Sequence, residues 1–317
     1  MDRRRSLQVA ACAAGLAAAG MPVPGGARTL NGFDLNGALV PIRAIEAGGP
    51  PRDGIPAIDA PRFVDAAAAG LADRDRVLGL ALGSDVRAYP VRILNWHEVV
   101  NDRIAGQPVA VTYCPLCGTG MAFDARIDGQ PTAFGVSGLL YNSDVLLYDR
   151  RTESLWSQIR ARAITGPLKG RSLTPVPLSH TTWAAWRARH RRTRVLSTET
   201  GFVRDYGRDP YEGYEQVQRL MFEVEHRDDR LPPKAWVMGL VIDGQARAYP
   251  FDWLARQTDR EGWWQERLGG RAVRIHYDRE ARSAEAFDAD GRPLASVSAF
   301  WFAWVAFHPR TELAKAP

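Results

Sequence analysis

Residues 77–90 read VLGLALGSDVRAYP and residues 237–250 read VMGLVIDGQARAYP, with seven identities in 14 positions at a constant offset of 160. Each stretch is an apolar run, a Gly/Asp-bearing turn and a second short run closed by Arg-Ala-Tyr-Pro, which predicts a hairpin. The likeness continues with small gaps. Residues 107–113 (QPVAVTY) align with 271–277 (RAVRIHY), Ala122-Phe123-Asp124 with Ala286-Phe287-Asp288, and Asp128-Gly129-Gln130-Pro131 with Asp290-Gly291-Arg292-Pro293. Two diverged copies of one unit of about seventy residues is the economical reading, because a repeated supersecondary unit leaves this kind of periodic trace.

Working outward from the hairpin, Pro90 suits the first turn of a helix. The run 91–100 carries apolar residues at Ile93, Leu94, Trp96, Val99 and Val100 at helical spacing. A strand over 109–113 follows, then a Cys-containing turn. A further hairpin is expected from 121–125 and 132–136 around Asp128-Gly129. The unit therefore reads as ββαβββ, and the fold class as α+β: β-rich, two pseudo-symmetric repeats with an inserted segment. The expected division is an extended Gly/Pro-rich arm over 28–62, repeat 1 over 63–140, an inserted segment over 141–236, and a degenerate repeat 2 over 237–309. Within the insertion, 181–190 starts at a threonine able to cap and runs as a short helix.

The 317 residues carry 41 Lys+Arg against 36 Asp+Glu, a net charge of +5. Only Lys169, Lys234 and Lys315 are lysines, and the arginines are spread along the chain. No concentrated basic face is indicated, so nucleic acid is not an expected partner. Residues 1–27 have a positive start (Arg3, Arg4, Arg5), an Ala-rich apolar stretch and a Gly-Gly-Ala at 25–27, the pattern of an export signal. Arg4-Arg5-Ser6-Leu7 gives a partial twin-arginine match. Val9-Ala10-Ala11-Cys12 has the letters of a lipoprotein box but leaves too short an apolar run before the cysteine. A periplasmic or otherwise exported protein is expected, with no transmembrane segment in the mature chain. Cleavage after Ala27 leaves a net charge of +3 and two cysteines.

Those two, Cys114 and Cys117, lie in Tyr113-Cys114-Pro115-Leu116-Cys117-Gly118 between two expected strands. A Cys-Pro-x-Cys-Gly turn on a hairpin is the form of a metal knuckle, with Gly118 supplying the positive φ such a turn needs. A thioredoxin-like pair has the same spacing but sits at a helix N-terminus. The aligned positions of the second copy are Asp278 and Ala281, so the site belongs to the first copy alone. His97 is the candidate third ligand, since it lies in the same unit and its aligned partner is Gln257. Two thiolates and an imidazole suit copper or zinc. A bound soft metal, serving metal handling or electron transfer, is the leading expectation. A thiol-disulfide redox protein with an unknown redox partner, or a non-catalytic module with an inert disulfide that binds a small ligand, are the alternatives. Asp144, Asp149, Arg150 and Glu153 are weaker pocket candidates. The acid- and aromatic-bearing stretch 200–214 lacks the alternating acids of a calcium loop. No phosphate loop, dinucleotide fingerprint or serine nucleophile elbow is present, so no enzyme class is assigned.

Several ordered motifs carry a resemblance to a known family: WHEVVND at 96–102, YCPLCG at 113–118, FGVSGLL at 134–140, YDRRTESLWSQ at 148–158, and VLS at 195–197 with Thr200-Gly201. Over about residues 70–250 the chain resembles the bacterial and archaeal family called domain of unknown function 3179. The family pattern carries both cysteines and the histidine, so the resemblance implies a shared role for Cys114, Cys117 and His97. It implies no substrate.

Overall fold

A computed structural model describes residues 28–315; the export signal expected at 1–27, with Cys12, lies outside the described residues. The architecture is a β-propeller of five blades, 41% strand against 12% helix. This overturns the α+β class and the two ββαβββ units.

Each blade is a separate sheet. In blade 1 the order is Ser179–Thr182, Arg76–Leu82, Asp85–Pro90, Arg194–Leu196 and Phe63–Asp65. Blade 2 runs Thr174–Val176, Thr119–Asp124, Gln107–Cys114, Val99–Ile104. Blade 3 runs Arg162–Ala163, Leu155–Ser157, Asp144–Asp149, Phe134–Tyr141, Ile45–Ala47. Blade 4 runs Val297–Phe300, Trp236–Ile242, Gln245–Pro250, Glu312–Leu313. Blade 5 runs Trp263–Leu268, Arg271–Asp278, Ser283–Phe287, Pro293–Leu294.

The reason for the correction is visible at two places. The two aligned hairpins do form, Arg76–Leu82 with Asp85–Pro90 and Trp236–Ile242 with Gln245–Pro250, but each opens its own blade. The short helices after them, α1 (Val91–His97) and, in the second half, Phe251–Gln257, carry the chain across to the next blade. The turn at Asp128-Gly129 closes only the two-residue strands Arg126–Ile127 and Gln130–Pro131. Thr119–Asp124 and Phe134–Tyr141, expected to pair there, part to blades 2 and 3.

Blades 1 and 4 are completed from far along the chain by equivalent pieces. In blade 1, Ser179–Thr182 pairs antiparallel with the first strand and Arg194–Leu196 parallel with the second, with α2 (Trp183–Arg189) between them. In blade 4, Val297–Phe300 and Glu312–Leu313 do the same, with a helix over Trp301–Phe307 between them. Trp186 Nε1 donates to Thr193 Oγ1 at 3.0 Å, and Trp304 Nε1 to Thr311 Oγ1 at 2.9 Å. A Cβ on Gly79 would sit 2.3 Å from the Trp186 ring, and one on Gly239 2.2 Å from Trp304. Glycine is what lets each indole lie on the strand.

The blades meet through shared cores, blade 4 directly with blade 2 as well as with blade 3. Leu78, Leu80 and Tyr89 of blade 1 share a core with Val100, Val109 and Val111 of blade 2. Phe123 of blade 2 shares one with Phe134, Leu146 and Trp156 of blade 3, and with Ala303 and Phe307 behind blade 4. Met238 and Tyr249 of blade 4 pack with Ile275 and Tyr277 of blade 5. Between blades 5 and 1, Thr181 donates to Ser283 Oγ at 3.1 Å and Arg189 pairs with Glu285 at 2.6 Å. A strand between two neighbouring blades is covered on both faces and loses the half-polar alternation of a one-sided sheet. All eight residues of Phe134–Tyr141 and all six of Asp144–Asp149 are accordingly buried. Among the described residues no helix is long and apolar enough to cross a membrane.

Candidate metal centre

Cys114 ends the strand Gln107–Cys114 and pairs with Thr119 across the hairpin, so Pro115, Leu116, Cys117 and Gly118 form the loop. Cys117 N–H donates to the Cys114 carbonyl at 3.2 Å and Gly118 N–H to that of Pro115 at 3.4 Å. Gly118 takes φ +64°, and the ring of Trp236 stands 2.7 Å from where its Cβ would be. The Cys117 carbonyl accepts the Phe300 N–H at 2.9 Å, which ties the loop to blade 4. Both cysteines are free thiols and buried.

Facing them is the two-residue turn of blade 3. Asn142 and Ser143 both have positive φ, 52° and 66°, the conformation of a tight hairpin turn between Phe134–Tyr141 and Asp144–Asp149. The turn is pinned by Asn142, whose Oδ1 accepts the Glu225 N–H at 2.8 Å. It aims the Ser143 carbonyl at both sulfurs, 3.8 Å from Cys114 Sγ and 3.4 Å from Cys117 Sγ. It also delivers Asp144 to them. The two sulfurs and an Asp144 carboxylate oxygen all lie within 4.8 Å of one another.

Around this triad the polar groups are incompletely paired. Asp144 Oδ2 accepts the Ile159 N–H at 3.1 Å, but Asp144 Oδ1 is buried with no partner, as are Ser143 Oγ, Ser157 Oγ and Gln158 Oε1. Orphaned buried acceptors are costly and rare in folded proteins. Every ionisable group here is held toward its neutral form. Burial pushes the Asp144 carboxyl up to about 7. Burial, then the charge of Asp144, pushes Glu98 up to about 8. Burial raises both thiols, Cys117 further because Cys114 adds to it. Four acidic side chains have been collected where none ionises easily without a cation.

His97 is not part of the triad. Its Nδ1 lies 2.8 Å from the Pro56 carbonyl and its Nε2 2.6 Å from Tyr206 Oη, so both ring nitrogens are engaged. Tyr206 Oη is also 2.6 Å from Thr200 Oγ1, and the histidine thus holds the 200–206 stretch against α1. The following residue, Glu98, ends α1 with φ +57° and receives the Tyr113 N–H on its carbonyl at 2.8 Å, next to Cys114. Asp144 was legible only as a general pocket candidate, because its neighbours in space are 27 and 30 positions away on another blade. Asp149, read from sequence in the same group, is structural: its carboxylate takes the Thr152 N–H and the Trp156 Nε1–H. In the second copy, Asp278 Oδ1 accepts the Ala281 N–H at 2.8 Å, closing by a side-chain turn the loop that carries thiols in the first.

A family model described as "Protein of unknown function (DUF3179)" matches residues 52–292. The chain belongs to the DUF3179 family. No curated protein and no solved structure matches it. The DUF3179 match spans both aligned hairpins, the Cys-Pro-Leu-Cys loop and Asp144, so the triad lies inside the family's own region.

Proposed function

We propose that the protein binds one zinc ion through Cys114 Sγ, Cys117 Sγ and Asp144 Oδ1, leaving a fourth coordination position open. The observation that carries this is the buried, unpaired Asp144 Oδ1 beside two thiols. Zn–S and Zn–O bonds near 2.3 and 2.0–2.2 Å put tetrahedral ligands about 3.5 Å apart, so modest side-chain adjustment closes the site. A divalent ion balances charge that burial otherwise suppresses. The donor set favours zinc over copper(I), since copper(I) prefers purely soft ligands whereas zinc accepts a mixed set of thiolate and carboxylate. Zinc has no redox chemistry of its own, so the supported role is ligand polarisation or metal handling rather than electron transfer. Exchange chemistry at the thiols is the less favoured reading, because nucleophilic cysteines have lowered pKa values and these are raised.

Metal analysis of the purified full chain tests it. One zinc per chain is expected in the wild type, and little in Cys114→Ser, Cys117→Ser and Asp144→Asn. A wild-type protein that takes up no zinc under reducing conditions, or an Asp144→Asn protein that retains it unchanged, overturns the assignment.

A further inference from the structure

Strands of blades 1, 2 and 4 and a turn of blade 5 converge on a cavity of about 280 Å³ beside the thiol loop. The segment 209–215 covers it. Pro115, one residue after Cys114, forms part of its wall. The thiols themselves do not line it.

Arg76 reaches this cavity from the first strand of blade 1. Its Nη1 donates to the Ala281 carbonyl at 2.6 Å and its Nη2 to that of His180 at 2.8 Å. Among the described residues no carboxylate lies in ion-pair distance of it. The side chain is half-buried, and burial lowers its pKa against the weaker opposing pull of Tyr113 and Glu215. The cavity's two acids are already engaged. Asp209 Oδ1 accepts from Asn95 Nδ2 and from the Tyr211 N–H, both at 2.9 Å, and Glu215 Oε1 accepts the Trp236 Nε1–H at 2.8 Å. Two further polar atoms on the wall are buried without partners, His180 Nδ1 and Tyr214 Oη. The remaining surface is largely aromatic, led by Tyr113, Trp236, Phe251 and Phe300. Arg282 stands at the wall too, exposed and only loosely paired with Asp252 at 4.0 Å.

We propose that this cavity binds a small aromatic monocarboxylate, its carboxylate on the Arg76 guanidinium and its ring against the Trp236 side of the wall. The planar fork of arginine matches a carboxylate, and charge-assisted bonds of this kind are the strong ones. Asp209 and Glu215 in the same wall disfavour a dianion, which selects carboxylate over phosphate. Drug-sized ligands need cavities of roughly 300–1,000 Å³, so a single ring with a short acid side chain is the fitting size. The proposal stands apart from the zinc assignment, since none of the three ligands lines the cavity.

Calorimetric titration of the wild-type chain with benzoate and 3-phenylpropionate, against benzamide and phenyl phosphate, tests it without any variant. At least one of the two carboxylates should bind saturably, with benzamide and phenyl phosphate about tenfold weaker or more, because a site built around a charged partner rejects the isostere lacking it. Arg282→Gln, at an exposed position, should weaken the carboxylate several-fold, and Arg76→Lys should weaken it further. Equal binding of benzamide, preference for phenyl phosphate, or no carboxylate binding up to about 10 mM, a free energy near 3 kcal/mol, overturns the proposal. Should Arg76→Lys fail to fold, the comparison of benzoate with benzamide on the wild type still decides.

Discussion

Glu98, Asp144, Cys114 and Cys117 are all buried, with the charge of Asp144 bearing on Glu98, and the metal-free state carries the consequence. Both carboxyls have folded-state pKa values raised above their unfolded ones, to about 8 for Glu98 and about 7 for Asp144. A group shifted upward contributes its full stability below the unfolded pKa, and that contribution drains as pH rises through the folded value. The chelator-treated protein should therefore lose stability between about pH 4.5 and 8, by a few kcal/mol in order of magnitude. Urea unfolding across that range measures it. Glu98→Gln should flatten the slope and leave the protein more stable than wild type at pH 8; an unchanged slope shows that Glu98 does not ionise there. Zinc should reverse the trend, since a bound cation favours the ionised forms.

At the scale of single elements, the Cys-Pro-Leu-Cys loop depends on Gly118 for two separable reasons. One is the φ of +64°, the other the Trp236 ring 2.7 Å from a would-be Cβ. Gly106 has φ +80° with open space around it. Gly106→Ala should cost about 1 kcal/mol from the backbone alone, and Gly118→Ala about 2 kcal/mol or more, because an indole must also move. Thermal denaturation of the two variants gives the difference, and equal losses refute the Trp236 contribution.

What was readable at this scale follows the range of each signal. The paired hairpins, the short helix from Val91, the Thr182 cap of α2, accepting the Ala185 N–H at 3.4 Å, and the positive φ of Gly118 are local patterns fixed by a few adjacent residues. The blade count is not, because the two halves correspond at two different offsets. Trp183, Trp186, His190 and Thr193 match Trp301, Trp304, His308 and Thr311 at an offset of 118, not 160. The first half holds 42 more residues, and that excess accommodates blade 3. Once the pieces completing blades 1 and 4 are seen to correspond, the ββαβββ unit dissolves into pairs of blades. His97 shares the sequence unit of the thiols, whereas the carboxylate beside them comes from the turn of the neighbouring blade.

A closed ring holds its shape only if the last blade is fastened to the first, and here the fastening is polar rather than apolar. Glu285 of blade 5 takes Arg189 through two bonds, at 2.6 and 3.1 Å, and Ser179 Oγ donates to the same carboxylate. Its side chain is only 15% exposed. Burial alone pushes its pKa up, but Arg189 and the Ser179 hydroxyl outweigh that and leave it lowered. The sign is opposite to that of Glu98: the contribution is present above the unfolded carboxyl pKa and lost as pH falls through the folded one. Removing the carboxylate also leaves Ser179 without its acceptor in a half-buried seam. Glu285→Ala should therefore cost about 1–3 kcal/mol at neutral pH. Arg271→Ala, which breaks a pair with Asp243 whose side chains are 68% and 53% exposed, should cost less than about 0.5 kcal/mol. Denaturant unfolding at neutral pH and again near pH 3 separates them. The Glu285→Ala deficit should shrink in acid, and a deficit no larger than that of Arg271→Ala at neutral pH would show that the apolar seams between the other blades close the ring without this contact.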